Sequence, residues 1–305
     1  LPLHTLRDFA AADFAAADSL TRGGQAIKSL QTRHPGLVVK DAHPIVDQLR
    51  ARKSAAEIGL IRKAGEISAQ GHRELMKQIE PGMHEYDLQA IIEHAFRRAG
   101  AERPAYGSIV GSGPLSLQLH YMKDRRQMAP GEVVVVDAGA EFDGYTADVT
   151  RTIPVSGTFT EEQRAVYRIV RESQAAAERN SVPGKSIATA LDSSVRVRAN
   201  GLIESADASF DPPWAADCAA APQACRQVML FSIHGITHGV GLEVHDPLQA
   251  YQDGIFKVGD AFTIEPGLYI SPKLLDILPD TPRNRAFSAK VRRAVERYQN
   301  TGIRI

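Results

Sequence analysis

The sequence predicts an α+β fold built on a repeated helix–helix–sheet unit, and three observations predict it. Amphipathic helical patterns come in pairs, each pair followed by an apolar, strand-like run. Asp143-Gly144 separates two β-branched runs, among the better short hairpin signals. Finally, "GEVVVVDAG" (131–139) and "GDAFTIEPG" (259–267) share a frame of glycine, acid, four residues, carboxylate, one residue and glycine. Asp137 and Glu265 fill the same slot, as if each half of a duplication delivered one carboxylate.

Taken in order, residues 1–52 are Ala-rich, with one short apolar run, too little for an independent domain. The stretch 53–82 opens with a capping box, Ser54 and Glu57, carries Ile58, Ile61, Ala64, Ile67, Leu75 and Ile79 at helical spacing, and stops at Pro81-Gly82. A second amphipathic helix spans 85–100 and closes at Gly100. Residues 101–120 read as a Gly/Ser/Pro loop. The hairpin follows, and its turn places position 137 opposite 150, with Asp148 a diagonal neighbour of Asp137 on the same face. A third helix begins at a capping box of Thr160 and Gln163, and 185–203 reads as a fourth. Residues 205–227 look like a polar, Pro/Ala-rich insertion. Then come a histidine-rich segment, a strand over 260–270, a loop with a helix near 286–298, and a last strand, "GIRI".

Composition narrows the function classes. Lys+Arg and Asp+Glu both number 36 in 305 residues, so no net charge invites nucleic acid or an anionic membrane. No apolar run approaches the roughly eighteen residues that span a bilayer. Cys218 and Cys225 are either two thiols in a loop or a local disulfide. The disulfide would imply a periplasmic or secreted protein; without it the cytoplasm is the default expectation.

Asp137 and Asp148 on one face of an apolar sheet should repel and be costly to bury. Either a cation or a shared proton resolves this, or Asp148 faces solvent. "HGITHGVGLEVHD" (234–246) collects His234, His238 and His245 between glycines 235, 239 and 241, which would let the backbone turn tightly around a metal. Adding His238 to Asp137, Asp148 and Glu265 gives a borderline-hard donor set suited to Mn²⁺, Co²⁺ or Zn²⁺, unlike a Cys-type structural zinc site. Three carboxylates suit two ions better than one, and a di-metal site would hold a bridging hydroxide ready to attack an amide carbonyl. His120, His234 and His245 are then free to donate to a substrate carbonyl or oxyanion, or to shuttle a proton.

In order, "VGSGPLSLQLHY", "VVVVDAGAEFDGYTADVTRTIPVSGTFTEEQRAVY", "HGITHGVGLEVHD", "FTIEPGLYI" and "GIRI" resemble the catalytic domain of the Xaa-Pro peptidases, aminopeptidase P and prolidase, in the methionine-aminopeptidase-like "pita-bread" superfamily. The resemblance covers roughly 54–305. It implies a pseudo-two-fold pita-bread catalytic domain over 53–305, with 1–52 the tail of a smaller, creatinase-like N-terminal domain that in relatives helps form the dimer; a homodimer or higher homo-oligomer is expected. It implies that Asp137 binds one metal, Asp148 bridges both, and His238 and Glu265 bind the second. His120, His234, His245 and Arg304 would position the substrate, a short peptide with proline second, and Glu265 would relay a proton. Mn²⁺ is the family's common ion. In the family the last strand continues into a glutamate that bridges the metals, whereas this sequence ends at Ile305 and begins without Met, so a fragment is expected.

The resemblance leaves Xaa-Pro aminopeptidase and Xaa-Pro dipeptidase both open. A creatinase-like hydrolase would lack the full metal set, and a non-catalytic scaffold on this fold would have lost the acids and histidines; this chain keeps both.

Overall fold

The computed structural model of the chain describes residues 3–5, 22–205 and 226–305. The chain divides into two compact units, Leu1–Ala51 and Arg52–Ile305. In the first, β1 (Leu3–Thr5) pairs in parallel with β2 (Val39–Asp41), and the helices are α1 (Arg22–Arg33) and α2 (His43–Ala51).

The second unit opens with α3 (Ala55–Gln78), whose N-terminus has the expected capping box: Ser54 Oγ accepts from the Glu57 amide and Glu57 accepts from the Ser54 amide. Its buried face runs through Ala64, Ile67, Ser68, Gly71, His72 and Leu75, the spacing of one helical stripe. α4 (Glu85–Arg98) packs beside it. β3 (Arg103–Pro104), β4 (Ile109–Ser112) and a 3₁₀ turn (Gly113–Leu117) occupy the segment expected to be loop. β4 is a true strand, antiparallel to β5 (Val133–Asp137). It is only four residues long and flanked by glycine and serine, so it lacks the length that marks a strand in sequence.

The hairpin register is the one the Asp143-Gly144 turn dictates. β6 (Ala140–Phe142) meets β7 (Tyr145–Thr146) with Phe142 opposite Tyr145, and β5 meets β8 (Thr150–Pro154) with Asp137 opposite Thr150. Both turn residues adopt positive φ, 49° and 75°, which Asp and Gly tolerate. The hairpin is divided between two sheets, β4-β5-β8 and β3-β6-β7.

α5 (Glu161–Asn180) carries the expected Thr160/Gln163 capping box, and α6 (Ile187–Ser205) lies against it. Residues 206–225 lie outside the described residues; most of the expected insertion and both cysteines fall there. α7 (Arg226–Phe231), α8 (Gln249–Asp253), β9 (Gly267–Ile270), α9 (Pro282–Tyr298) and β10 (Thr301–Arg304) complete the unit. The strand expected over 260–270 is regular only from Gly267; before it, 261–265 meet the histidine segment through one bridge, Gly239 to Phe262, and the backbone bonds of Val240 to Ala261, Thr263 to His238 and Glu265 to Ile236. β9 and β10 are antiparallel.

The four valines of β5 show no in–out alternation because both faces are covered. Val134 and Val136 pack with Ile67, Leu88 and Phe96 of the first helix pair, while Val133 joins Val170, Leu268, Val291 and Ile303 on the other side. One helix pair and sheet on each side of the buried strands is the mixed architecture that the duplicated pattern predicts. Among the described residues, no helix is long and apolar enough to cross a membrane.

Candidate active site

A cavity of about 580 Å³ gathers all eight residues that the sequence singles out: His120, Asp137, Asp148, His234, His238, His245, Glu265 and Arg304. Asp137 is delivered by the end of β5, Asp148 by the turn into β8, the three later histidines by the segment after α7, and Arg304 by β10. Tyr106, Leu119, Met122 and Val244 add apolar wall.

His238 is the centre of the cluster. Its Nε2 lies 3.1 Å from Asp148 Oδ2 and 3.0 Å from Glu265 Oε1. Its Nδ1 lies 3.0 Å from the Gly239 carbonyl, which can only accept, so Nδ1 carries a proton and Nε2 faces the two acids. Tying one ring nitrogen to a carbonyl is how a metal-binding imidazole is oriented. Among the described residues, Asp148, His238 and Glu265 form the group whose ligand atoms lie within 4.8 Å of one another. Burial lowers the pKa of His238, but the carboxylates of Asp148 and Glu265 outweigh it and hold the imidazole up to about 10. A second proton on this ring supplies the positive charge that a divalent cation would supply between the same donors, so the residues fit a cation.

Asp137 has different partners. Arg304 forms an ion pair with Asp137 Oδ2, and the Tyr106 hydroxyl lies 2.6 Å from Asp137 Oδ1 and 2.8 Å from Asp148 Oδ1. A phenol has one hydrogen, so both short contacts require either a proton on one carboxylate or positive charge beside the pair. Burial, opposed by Arg304 and reinforced by the charge of Asp148, pushes Asp137 up to about 6. Asp148 is also buried, yet the bonds from His238 and Tyr106 hold it below its ordinary value. The solvent-facing alternative for Asp148 is therefore not adopted: its side chain is 12% exposed.

The other histidines take separate places. His245 stacks edge-on against His238, ring centroids 4.2 Å apart. His234 donates from Nδ1 to the Gly235 carbonyl, 2.6 Å, leaving Nε2 to accept from the Tyr269 hydroxyl at 2.8 Å; burial lowers its pKa, so it stays neutral. His120 is exposed on the cavity wall.

Three residues of this site escaped the sequence. Tyr106 lies just before the first motif and Tyr269 within the "FTIEPGLYI" motif, neither with a pattern of its own. His72 lies on the buried stripe of α3, where its Nε2 is 3.1 Å from the carbonyls of both Ala138 and Val149, the residues directly after Asp137 and Asp148. Two of the glycines are required by close packing. A Cβ on Gly239 would meet the Asp246 carbonyl at 2.2 Å, and one on Gly241 would meet Asp246 Oδ2 at 2.3 Å, so both make room for Asp246, while Gly235 stands in open space.

The profile of metallopeptidase family M24 matches residues 59–305. The chain belongs to this family. Among M24 relatives, the chain is 38% identical over 271 residues to an Xaa-Pro aminopeptidase of Escherichia coli, covering 88% of this chain and 59% of the relative. It is 33% identical over 239 residues to an Xaa-Pro dipeptidase of Pyrococcus furiosus, covering 77% and 60%. Solved structures of E. coli aminopeptidase P and of proline aminopeptidase P II from Yersinia pestis superpose with TM-scores of 0.78 and 0.80 at 34% identity, each covering 100% of this chain and 64% of the other. The fold is thus the pita-bread domain of M24. The chain spans about three fifths of the length of the curated relatives it matches. Membership of a metallopeptidase family implies divalent metal ions, and a zinc-substituted form of the E. coli enzyme is among the similar structures.

Proposed function

We propose that the chain carries the catalytic site of an Xaa-Pro aminopeptidase, which hydrolyses the bond between an N-terminal residue and a following proline. The observation that carries this is the convergence of Asp148 and Glu265 on the Nε2 of a backbone-tethered His238, with Asp137 alongside, in a chain related to enzymes of that name. Asp137, Asp148, His238 and Glu265 would hold a pair of divalent ions, with Mn²⁺ the expected pair and Co²⁺ or Zn²⁺ alternatives suited to the same donors. Bound there, the ions supply Lewis acidity and make water a nucleophile near neutral pH.

The protein's own groups do the rest. His120 and His245 reach the cavity from opposite segments and offer donors to the scissile carbonyl oxygen as it gains charge. His234, with both ring nitrogens engaged by the Gly235 carbonyl and the Tyr269 hydroxyl, would orient the substrate only by exchanging its Tyr269 bond for one to the peptide. The amide nitrogen leaves only after receiving a proton, and Glu265, beside His238 Nε2, would take a proton from water and pass it on. Arg304 neutralises Asp137 and holds it to the cavity wall. Residues 1–52 would be the end of an N-terminal domain, and the assembly a homodimer or higher homo-oligomer.

The test is hydrolysis with added Mn²⁺ and with EDTA, on an Xaa-Pro dipeptide, an Xaa-Pro-Xaa tripeptide, and that tripeptide with Ala replacing Pro. Mn²⁺-dependent cleavage of the proline tripeptide above the dipeptide is the expected result. Preference for the dipeptide would turn the assignment to a dipeptidase, the activity named for the P. furiosus relative. Cleavage of the Ala tripeptide as fast as the Pro tripeptide would overturn the Xaa-Pro reading.

A further inference from the structure

Lys53 and Asp246 are the least expected residues in the core. Their side chains are each 1% exposed, with Nζ 2.8 Å from Oδ2. Lysine is almost never so buried without a strong local reason, and a buried ion pair stabilises a fold no better than an apolar pair of the same size. Its placement is the reason. Asp246 directly follows His245, and its amide donates to the carbonyl of Gly239, the residue after His238, at 2.9 Å. Lys53 Nζ also reaches the Pro247 carbonyl, at 3.3 Å. The pair lies flat against Gly241, where a Cβ would fall 2.3 Å from Asp246 Oδ2 and 2.8 Å from Lys53 Cε. The Gly241 carbonyl in turn accepts from both the amide and the hydroxyl of Thr146, two residues before Asp148, at 2.8 and 3.0 Å. Lys53 itself is anchored: its amide donates to the Gly259 carbonyl, and the next residue caps α3.

We propose that Lys53 and Asp246 are a positioning pair, a buried charge clamp that fixes the 238–246 segment so that His238 and His245 meet the Asp148 side of the cavity in one geometry. The segment has no regular secondary structure of its own, and a buried charge that must stay beside its counter-ion selects one loop conformation where apolar packing would permit several. The inference rests on the assignment of His238 and His245 to the metal and substrate sites.

The experiment compares the unmodified protein, Lys53→Met, and Lys53→Met/Asp246→Asn. The single variant leaves a buried carboxylate without its cation and is expected to lose much of its stability. The double variant removes both charges at nearly constant shape and is expected to fold. Two readouts decide. In metal-free protein, amide hydrogen exchange at Val240, Gly241 and Asp246 is expected to accelerate about tenfold or more in the double variant, while Val134 and Val136 in β5 are unchanged. By titration calorimetry, its Mn²⁺ affinity is expected to fall about tenfold or more. Unchanged exchange and affinity overturn the proposal. So does acceleration spread equally over β5, or a double variant that does not fold, since either makes the pair a general stabiliser. Failure of the underlying metal assignment looks different: the unmodified protein would then bind no Mn²⁺.

Discussion

The two walls of the cavity are built by different means. The wall bearing Asp137 and Asp148 grows out of a hydrogen-bonded ladder, where β5 and β8 pair at five successive positions with β4 on the other edge. The wall bearing His234, His238, His245 and Glu265 has isolated bridges in place of a ladder, Gly239 to Asp246 and Gly239 to Phe262. Its backbone bonds are irregular, Glu265 to Ile236, Thr263 to His238 and Val240 to Ala261, and side chains supplement them: Thr263 accepts from the His238 amide, Tyr269 holds His234, and Lys53 holds Asp246. The ladder wall is fixed by regular strand pairing, whereas the histidine wall adds side-chain contacts to an irregular set of backbone bonds, so damage should propagate differently in each.

The largest effect should come where the walls meet. Asp148 touches both His238 and Tyr106, so Asp148→Asn removes a charge that both sides use. The fold should persist by circular dichroism while kcat/KM on a proline tripeptide falls on the order of a thousandfold or more, the scale of a lost metal-assembled site. Near-normal turnover would remove Asp148 from the proposed metal site.

The ladder wall has a hidden dependence on pH. Burial holds His72 down to about 4, against an ordinary value of 6.5, while its Nε2–H spans the carbonyls after Asp137 and Asp148. A histidine whose folded pKa is depressed takes up its proton only in the unfolded chain as pH falls below 6.5. Its contribution is therefore complete above pH 6.5 and is lost progressively down to about 4, amounting to roughly 3 kcal/mol. Urea unfolding of the parent protein and of His72→Gln across that window should show the parent losing this much more stability than the variant. Parallel curves would show that His72 titrates normally.

Tyr106 should matter less than Asp148, and through metal rather than fold. Tyr106→Phe keeps the ring and removes the hydroxyl that both carboxylates contact. Mn²⁺ affinity by calorimetry should fall about 10–100-fold, the usual range for groups that orient metal ligands. Unchanged affinity would mean that the ladder alone orients the two acids.

The contrast between walls also explains what was legible in the sequence. The register of Asp137 opposite Thr150 could be read because a two-residue turn fixes every pair behind it, and both capping boxes could be read because they span three residues. All eight candidate residues proved to share one cavity because their motifs are local and ordered. What stayed hidden was long-range. Lys53 looks like an ordinary charge before a helix until Asp246, almost two hundred residues on, is folded against it. His72 looks like one more position on a helical stripe, and β4 is too short to announce itself.

The smallest effects test the histidine wall one methyl at a time. Gly235 and Gly241 flank His238 in one motif and look equivalent in sequence, and neither has a positive φ. Gly241 lies against the buried ion pair, so Gly241→Ala must push Asp246 aside and should destabilise by about 1–3 kcal/mol, the usual cost of overpacking. A methyl on Gly235 would project into open space, with nothing within 4 Å of it. Gly235→Ala should therefore stabilise slightly, by about 0.4–1 kcal/mol, through the lower entropy of the unfolded chain. Thermal unfolding of the two variants should shift in opposite directions. Equal shifts would mean that the segment is loose enough to absorb a methyl anywhere, and that Asp246 does not hold it.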